Sequence, residues 1–200
     1  MKKIMFNDKY GLTKAVLEGR KTMTRRIAFS GEIRKPESGF LTEGAHAGKL
    51  VLCDGGLIVA KSAYKVGEVV AVAQSYENAG YNGNETDDSW AAKCEYPGEW
   101  DTLPGFKNKM FVQSEFMPHQ IRITNVRLER LQDISDEDCL REGILAGDIE
   151  PKMYGFQNGK HKESYFTPKD AFAALIDKVS GKGTWESNPW VFVYEFELVK

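Results

Sequence analysis

Short apolar segments separated by long polar, glycine-rich stretches run through this chain, and they restrict the folds that it can adopt. Strands are predicted where apolar residues run together or alternate with polar ones, at residues 3–6, 69–73, 121–131 and 190–199. The segment after Gly19 is predicted to lead from a loop into a further strand, because it is rich in threonine and ends in isoleucine.

Three helical patterns accompany these strands. Each has a capping residue at its start and a glycine at its end, which is the usual chemistry of helix termini. The predicted order is β-α-β-β-β-α-α-β, in an α+β chain whose many short strands favour a small, strongly bent mixed sheet or barrel. The helices are predicted to begin at Asn7 or Asp8, at Ser135 and at Thr167-Pro168, and to end at Gly19, Gly143 and Gly181.

Three insertions are predicted within a single domain of residues 1–200, at about 29–65, 76–118 and 145–166. The first is predicted to be irregular, with a hairpin around Asp54-Gly55-Gly56. The second carries eight aromatic and eight acidic residues. Its aromatic side chains can stack on a nucleobase or fasten a long loop to the body of the domain, and the second interpretation is favoured.

Composition and charge narrow the classes of function. Hydrophobic residues make up 42% and charged residues 28%, which is ordinary for a globular protein. We expect a cytoplasmic protein with no membrane span, because no apolar run reaches 18 residues and no signal peptide is recognisable. Three scattered cysteines are expected to be free thiols, and the histidines fit no metal-ligand spacing, so neither a metal nor a cofactor is predicted.

The net charge of −2 conceals a strong asymmetry. Residues 1–35 contain ten Lys or Arg and three Asp or Glu, which gives +7, so the remaining 165 residues carry −9. A basic segment on a mildly acidic body suits an anionic ligand bound at one place rather than a protein that coats duplex DNA.

The segment from Gly19 to Arg26 is the first candidate for chemistry. It follows a helix end and places four cations and two useful hydroxyls close together. Lysine loses its proton readily when buried, threonine supplies a hydroxyl, and arginine offers a fork for phosphate or a base edge. A polar loop that leads into a basic strand is the alternative explanation. The cations and hydroxyls are Arg20, Lys21, Thr22, Thr24, Arg25 and Arg26.

Glu142 is the second candidate. It is predicted to lie in the last turn of a short helix, where the helix dipole disfavours a negative charge. A carboxylate in that position suits a proton carrier. The alternative is a solvent-exposed glutamate paired with Arg141 or a lysine.

The chain resembles the ASCH family, a PUA-like β-barrel fold related to RNA-binding modules. Gly19, Lys21 and Arg26 match its G-x-K-x-x-x-x-R motif, and residues 17–26 are similar to the version found in phage and prophage ASCH proteins. Similar segments cover most of the chain outside the insertions. They are residues 66–70, Met117-Pro118, residues 126–135, Glu142-Gly143 and residues 183–190.

The resemblance implies a function as well as a fold. A compact bacterial branch of the family removes the acetyl group from N4-acetylcytidine, and its lysine, threonine and glutamate match Lys21, Thr24 and Glu142. Lys21, with its pKa lowered by neighbouring arginines, would be the base, Thr24 would attack or orient the acyl group, and Glu142 would position water or protonate the leaving amine. Gly19, Arg20, Arg25 and Arg26 would contact the nucleoside or single-stranded RNA.

Two other functions remain open at this stage. One is a non-catalytic module of phage or mobile-element origin that binds RNA or a modified base. The other is an adaptor whose aromatic insertion binds a protein. The chain also departs from its phage relatives at Ala73-Gln74, where they usually carry an Arg-Glu pair.

Overall fold

The computed structural model describes residues 1–28, 38–41, 49–54, 57–80, 102–148, 152–159 and 161–199. Its contacts divide the chain into two compact units. The first contains Met1–Phe6, Val69–Ile121 and Leu198–Lys200, and the second contains Asn7–Glu68 and Arg122–Glu197.

The described elements mix helices and strands throughout the chain, which confirms the α+β class. In chain order they are β1 (Lys3–Ile4), α1 (Leu12–Leu17), β2 (Met23–Ile27), β3 (Ser38–Leu41), β4 (Leu50–Asp54), β5 (Leu57–Lys61), β6 (Val69–Val72), β7 (Gln120–Arg130), α2 (Asp136–Arg141), β8 (Leu145–Ala146), β9 (Tyr154–Asn158), β10 (His161–Tyr165), α3 (Pro168–Ser180), α4 (Thr184–Ser187) and β11 (Trp190–Leu198).

The first unit is built around a parallel pair of strands, in which β1 lies beside β6 with Ile4 opposite Val72. Its core includes aromatic residues of the second predicted insertion: Tyr76 is buried, and Phe106 and Phe116 pack against the same cluster. These three side chains therefore fasten the loop to the body, as predicted. The other aromatic residues of that insertion from Tyr81 to Trp100 lie outside the described residues.

The second unit holds the strands that position the candidate site. Strand β11 lies between β7 and β2, and it pairs antiparallel with β2 so that Thr24 is opposite Tyr194 and Arg25 is opposite Val193. Two antiparallel three-stranded sheets belong to the same unit, one of β3, β4 and β5 and one of β8, β9 and β10. In neither unit do the described strands close into a barrel, so the PUA-like barrel stays a prediction.

The predicted order β-α-β-β-β-α-α-β is recovered when the strands of the first and third insertions and the short α4 are set aside. The first insertion was predicted to be irregular, but it folds into a sheet of its own. The third, for which no strands were predicted, also forms a sheet. The hairpin predicted near residue 54 is confirmed as β4 and β5, with Asp54 opposite Leu57. Its two tip residues lie outside the described part of the chain.

Helix termini follow the predicted capping chemistry at two of three places. The hydroxyl of Ser135 accepts a hydrogen bond from the backbone N–H of Asp138, and Thr167 does the same for Asp170 at the start of α3. The first helix was predicted to start directly after Asn7 or Asp8, which is wrong. It starts at Leu12, because residues 8–11 form a turn that ends in Gly11 at φ +68°.

Two of the predicted apolar segments, α3 and β6, are buried as expected. On α3 the buried residues recur at helical spacing and include Phe172, Leu175 and Ile176. Strand β6 is apolar and buried along most of its length. No described helix is both long enough and apolar enough to cross a membrane.

Gly155 in β9 leaves no room for a side chain, because a Cβ atom there would lie 1.8 Å from the carbonyl oxygen of Glu163. We expect Gly155→Ala to lower the free energy of unfolding by about 3 kcal/mol, measured by urea denaturation, since backbone cannot swing aside as a side chain can. Ser164→Ala is the control, because Ser164 is exposed and lies opposite Gly155 in the ladder. Equal losses in the two variants would contradict the prediction.

Candidate functional site

Lys21 is held by the end of α1. Gly19 adopts φ +71° after the helix and turns the chain, and the backbone N–H of Lys21 then donates to the carbonyl oxygen of Ala15 at 2.9 Å. The next residue, Thr22, donates its N–H to the carbonyl oxygen of Arg141 at 3.0 Å. The segment is therefore fastened on one side to α1 and on the other to the last turn of α2.

Glu142 is held by the end of α2. It is the C-terminal cap of the helix, and Gly143 follows it at φ +102°. A Cβ atom at position 143 would lie 3.6 Å from Cδ of Lys21, an ordinary van der Waals distance, so the positive φ rather than lack of space favours glycine here. The sharp end of the helix therefore brings the Glu142 side chain and the Lys21 side chain to the same place.

The structure joins Lys21 and Glu142 in a buried ion pair. The Lys21 amine lies 2.5 Å from Oε2 of Glu142 and 2.6 Å from its backbone oxygen, and the side chains are 2% and 5% exposed. The alternative of a solvent-exposed glutamate at position 142 is therefore wrong. Such a pair forms only when close hydrogen bonds offset the cost of removing two charges from water.

Burial lowers the pKa of Lys21, and the nearby guanidiniums of Arg26 and Arg25 lower it further against the opposing charge of Glu142. The direction agrees with the sequence-based expectation, but the main cause is burial rather than the arginines. The guanidinium of Arg20 binds the carboxylate of Glu18 at 2.6 Å, and the side chain is 41% exposed. A lysine of this kind gives up its proton more easily than one in water.

Thr24 lies on β2, where successive side chains alternate between the two faces of the sheet. It shares a face with Arg26, while Arg25 points to the opposite face. Thr24 is buried, yet its hydroxyl makes no hydrogen bond to Lys21, to Glu142 or to any other described residue. The structure therefore brings Lys21 and Glu142 together, and leaves the hydroxyl of Thr24 outside that hydrogen-bonded pair.

The predicted nucleotide-binding residues divide into two groups. Gly19, Arg20 and Arg26 are exposed on the surface of the unit, and nothing lies within 4 Å of the place that a Cβ atom would take at Gly19. Arg25 is buried, with its side chain 1% exposed. Its guanidinium points inward to carboxylates, so in this arrangement it has no N–H group left for a nucleotide.

The carboxylates around Arg25 come from three places in the chain. Arg25 donates Nε and Nη2 to Oε1 of Glu129 at 2.9 and 2.6 Å, Nη2 to Oδ2 of Asp138 at 3.0 Å, and Nη1 to Oε1 of Glu142 at 3.1 Å and to Sδ of Met23 at 3.2 Å. All five N–H groups are engaged. The attraction of these carboxylates outweighs burial and raises the pKa of Arg25.

A wider network of charges continues from Asp138, and the sequence analysis did not identify it. Arg127 binds Asp138 at 2.6 Å and also contacts Glu195, and Arg141 binds Glu195 at 2.7 Å. One signal was available in the sequence: Glu195 is a charged residue inside the apolar run of β11. A charge in such a run requires a partner, but the sequence does not identify which one.

The departure at Ala73-Gln74 lies in the first unit. Gln74 is buried, and its Oε1 has no hydrogen-bond partner among the described residues, while its Nε2 donates to the carbonyl oxygen of Asn78 at 3.4 Å.

The free cysteines among the described residues are Cys53 and Cys139, and burial raises the pKa of Cys139 to about 12. No group of three or more potential metal ligands occurs in the described ranges.

Comparison with protein-family models, with curated proteins and with solved structures found no match to this chain. Its function is therefore inferred from the chemistry of its own residues. The site supplies a buried amine with a lowered pKa, a carboxylate that accepts hydrogen bonds on both oxygens, and exposed cations on the segment that leads to it. Such a set can accept a proton and attract an anionic or carbonyl-containing ligand.

A double-mutant cycle tests whether Lys21 and Glu142 act as a pair. We expect Lys21→Met and Glu142→Leu each to lower the free energy of unfolding by about 3 kcal/mol, because either removes one partner of a buried ion pair. The double variant should cost clearly less than the sum in urea denaturation. The exposed pair of Lys14 and Glu18, with side chains 72% and 41% exposed, is the matched control and should behave additively. Additivity at the buried pair would contradict the prediction.

Glu195 predicts a pH dependence of stability. Partial burial opposes its ionisation, but hydrogen bonds from Arg141 and Asn125 outweigh burial, so the pKa of Glu195 lies below its ordinary value of 4.5. Ionised Glu195 therefore stabilises the folded chain above that value, and the stabilisation is lost as the pH falls through the folded-state pKa.

We expect Glu195→Gln to lower the free energy of unfolding at neutral pH by about 1 kcal/mol and to flatten its decline in acid. Urea denaturation across the acidic range measures both. Glu197→Gln is the control, because Glu197 lies on the same strand with its side chain 56% exposed. An acid decline as steep in Glu195→Gln as in the parent would show that Glu195 is not its source.

Proposed function

We propose that the chain hydrolyses the amide bond of an acylated cytidine, such as N4-acetylcytidine, to release cytidine and the carboxylic acid. The observation that carries the proposal is the contact of 2.5 Å between the Lys21 amine and the Glu142 carboxylate, two residues 121 positions apart that are both buried. The ASCH resemblance had paired the same two residues as base and acid partner. Buried titratable groups with a shifted pKa, such as Lys21, are concentrated at functional sites.

Lys21 is the general base of the proposed reaction. Burial lowers the pKa of its amine, so a larger neutral fraction is present to accept a proton from the attacking hydroxyl, of Thr24 or of water. The new bond forms between that oxygen and the acyl carbon. The carbon–nitrogen bond then breaks, and the proton passes from Lys21 to the amine of the departing cytidine. When Thr24 is the nucleophile, an ester of Thr24 remains; water attacks its acyl carbon, gives a proton to Lys21, and the carboxylic acid leaves as the Thr24 oxygen takes that proton back.

Glu142 acts as an acceptor in this scheme. Its two oxygens receive hydrogen bonds from Lys21 and from Arg25, so it orients the amine and balances the ammonium that forms when Lys21 takes the proton. This role fits its contacts better than protonation of the leaving amine. Gly19, Arg20 and Arg26 lie on the surface and are assigned to contacts with the nucleoside.

Removal of the Lys21 amine tests the proposal. We expect the purified chain to release cytidine from N4-acetylcytidine, and Lys21→Ala to slow the release by about 100-fold or more, because a general base contributes on that order. Chromatographic separation of nucleosides measures the rate. Lys14→Ala is the matched control, since Lys14 is an exposed lysine on α1. Absence of release from the parent would refute hydrolysis, and equal release from Lys21→Ala would refute hydrolysis by this site.

A second function is favoured by the isolation of the Thr24 hydroxyl from the Lys21–Glu142 pair among the described residues. Without a nucleophile in contact with the base, the site is a module that binds RNA or a modified base through its basic segment. Binding of a single-stranded oligonucleotide is then expected to weaken with added salt and with Arg26→Ala. Fluorescence anisotropy measures it, and binding that is indifferent to both would exclude this function.

A further inference from the structure

Arg25 contacts Glu142 on the oxygen that Lys21 does not use. Lys21 binds Oε2 of Glu142 at 2.5 Å, while Nη1 of Arg25 lies 3.1 Å from Oε1. The three side chains are all at least nine-tenths buried, and Lys21 and Arg25 reach the carboxylate from positions four residues apart. The carboxylate is therefore clamped between two cations that come from one segment of the chain.

We infer that Arg25 is a positioning residue for the proposed amide hydrolysis, holding one oxygen of Glu142 so that the other faces the amine of Lys21. The catalytic part of this inference rests on the proposed function, whereas the positioning of Glu142 rests on the contacts of Arg25. Nothing in the resemblance to the ASCH motif assigns this position such a role, because the motif specifies positions 19, 21 and 26 only.

Rotation of the carboxylate is the motion that Arg25 prevents. The last torsion of a glutamate side chain has a broad energy profile, so packing alone does not select which oxygen faces Lys21 or at what angle. A guanidinium is planar and donates in fixed directions, and it therefore fixes the plane of the carboxylate that it binds. A lysine at position 25 would keep the charge without that directional control.

Arg25 is itself immobilised, which a positioning residue requires. Glu129 on β7 accepts from Nε and Nη2, and Asp138 on α2 accepts from Nη2. The guanidinium carbon also lies 6.0 Å from the centre of the Phe172 ring on α3. Contacts from a strand and two helices therefore hold the guanidinium in place before any ligand arrives.

The contact between Arg25 and Glu142 also affects the pKa of Lys21. The groups that face Lys21 are Glu142, which favours the ammonium, and Arg26 and Arg25, which disfavour it after the larger effect of burial. Behind Arg25 lie Glu129 and Asp138, which balance its charge. Because Arg25 also binds Glu142, that carboxylate stabilises the ammonium form of Lys21 less. Removal of the Arg25 guanidinium therefore raises the pKa of Lys21.

Titration of Lys21 without substrate is the first measurement. In protein labelled with ¹³C at lysine, the Cε signal of Lys21 is assigned by its loss in Lys21→Met, and its shift is followed against pH. We expect Lys21 to titrate at higher pH in Arg25→Gln than in the parent. In Arg25→Lys the pKa of Lys21 should lie between those two values. Arg122→Gln is the matched control, because Arg122 is half exposed in its pair with Glu197.

Kinetics of cytidine release from N4-acetylcytidine are the second measurement. Arg25→Gln is expected to lower kcat on the order of 100-fold with little change in KM, because misplacement of a catalytic group costs about that much. The acidic limb of its pH–rate profile is expected to move to higher pH. Arg25→Lys should restore part of kcat, and Arg122→Gln should match the parent. A role in stability alone would lower the amount of folded protein and leave the profile in place.

The outcomes separate this inference from the proposed function. If the parent releases no cytidine, hydrolysis is refuted, and the Lys21 titration still decides whether Arg25 controls the pair. If Lys21 titrates alike in the parent and in Arg25→Gln, the positioning role is overturned even where hydrolysis occurs. If Arg25→Gln does not fold, the Lys21 titration is measured in Arg25→Lys and in Glu129→Gln instead. If Lys21 titrates in both variants as it does in the parent, the positioning role of Arg25 is overturned.

Discussion

The buried contact between the Lys21 amine and the Glu142 carboxylate is the constraint around which the candidate site is arranged. Removing two charges from water costs several kcal/mol for each ion, on the order that continuum estimates give. The second unit offsets that cost with the backbone oxygen of Glu142 and with the guanidinium of Arg25. The last turn of α1, the start of β2 and the end of α2 all contribute to one ion pair.

Strand β2 separates two kinds of chemistry by the alternation of its side chains. On one face Arg25 joins a network in which cations and carboxylates are equal in number, and Thr24 and Arg26 lie on the other face. The formal charges of the network balance when every member is ionised, and its ion pairs fix the geometry of the side chains. It consists of Lys21, Arg25, Arg127 and Arg141 with Glu129, Asp138, Glu142 and Glu195.

Sequence patterns predicted those features of the fold that depend on contacts between residues close together in the chain. The caps at Ser135 and Thr167 and the end of α3 at Gly181 depend on contacts within a few residues, and they occur as predicted. The start of α1 was misplaced, because the turn before Gly11 competes with the helix for the same residues. The first and third insertions were not recognised as sheets, since strand pairing compensates for weak periodicity there.

The amino-acid sequence by itself determined the order of the eight predicted elements, and it marked the basic segment from Gly19 to Arg26 and the acid Glu142 at a helix end as candidates. The ASCH resemblance then selected Lys21 within that segment. Only the tertiary structure decided that Lys21 and Glu142 are in contact and that both are buried. It also decided that Arg25 binds Glu142 with a buried side chain. The physical reason is distance along the chain. A contact across 121 residues depends on how strands and helices pack, whereas periodicity and capping report only on neighbours within a few residues.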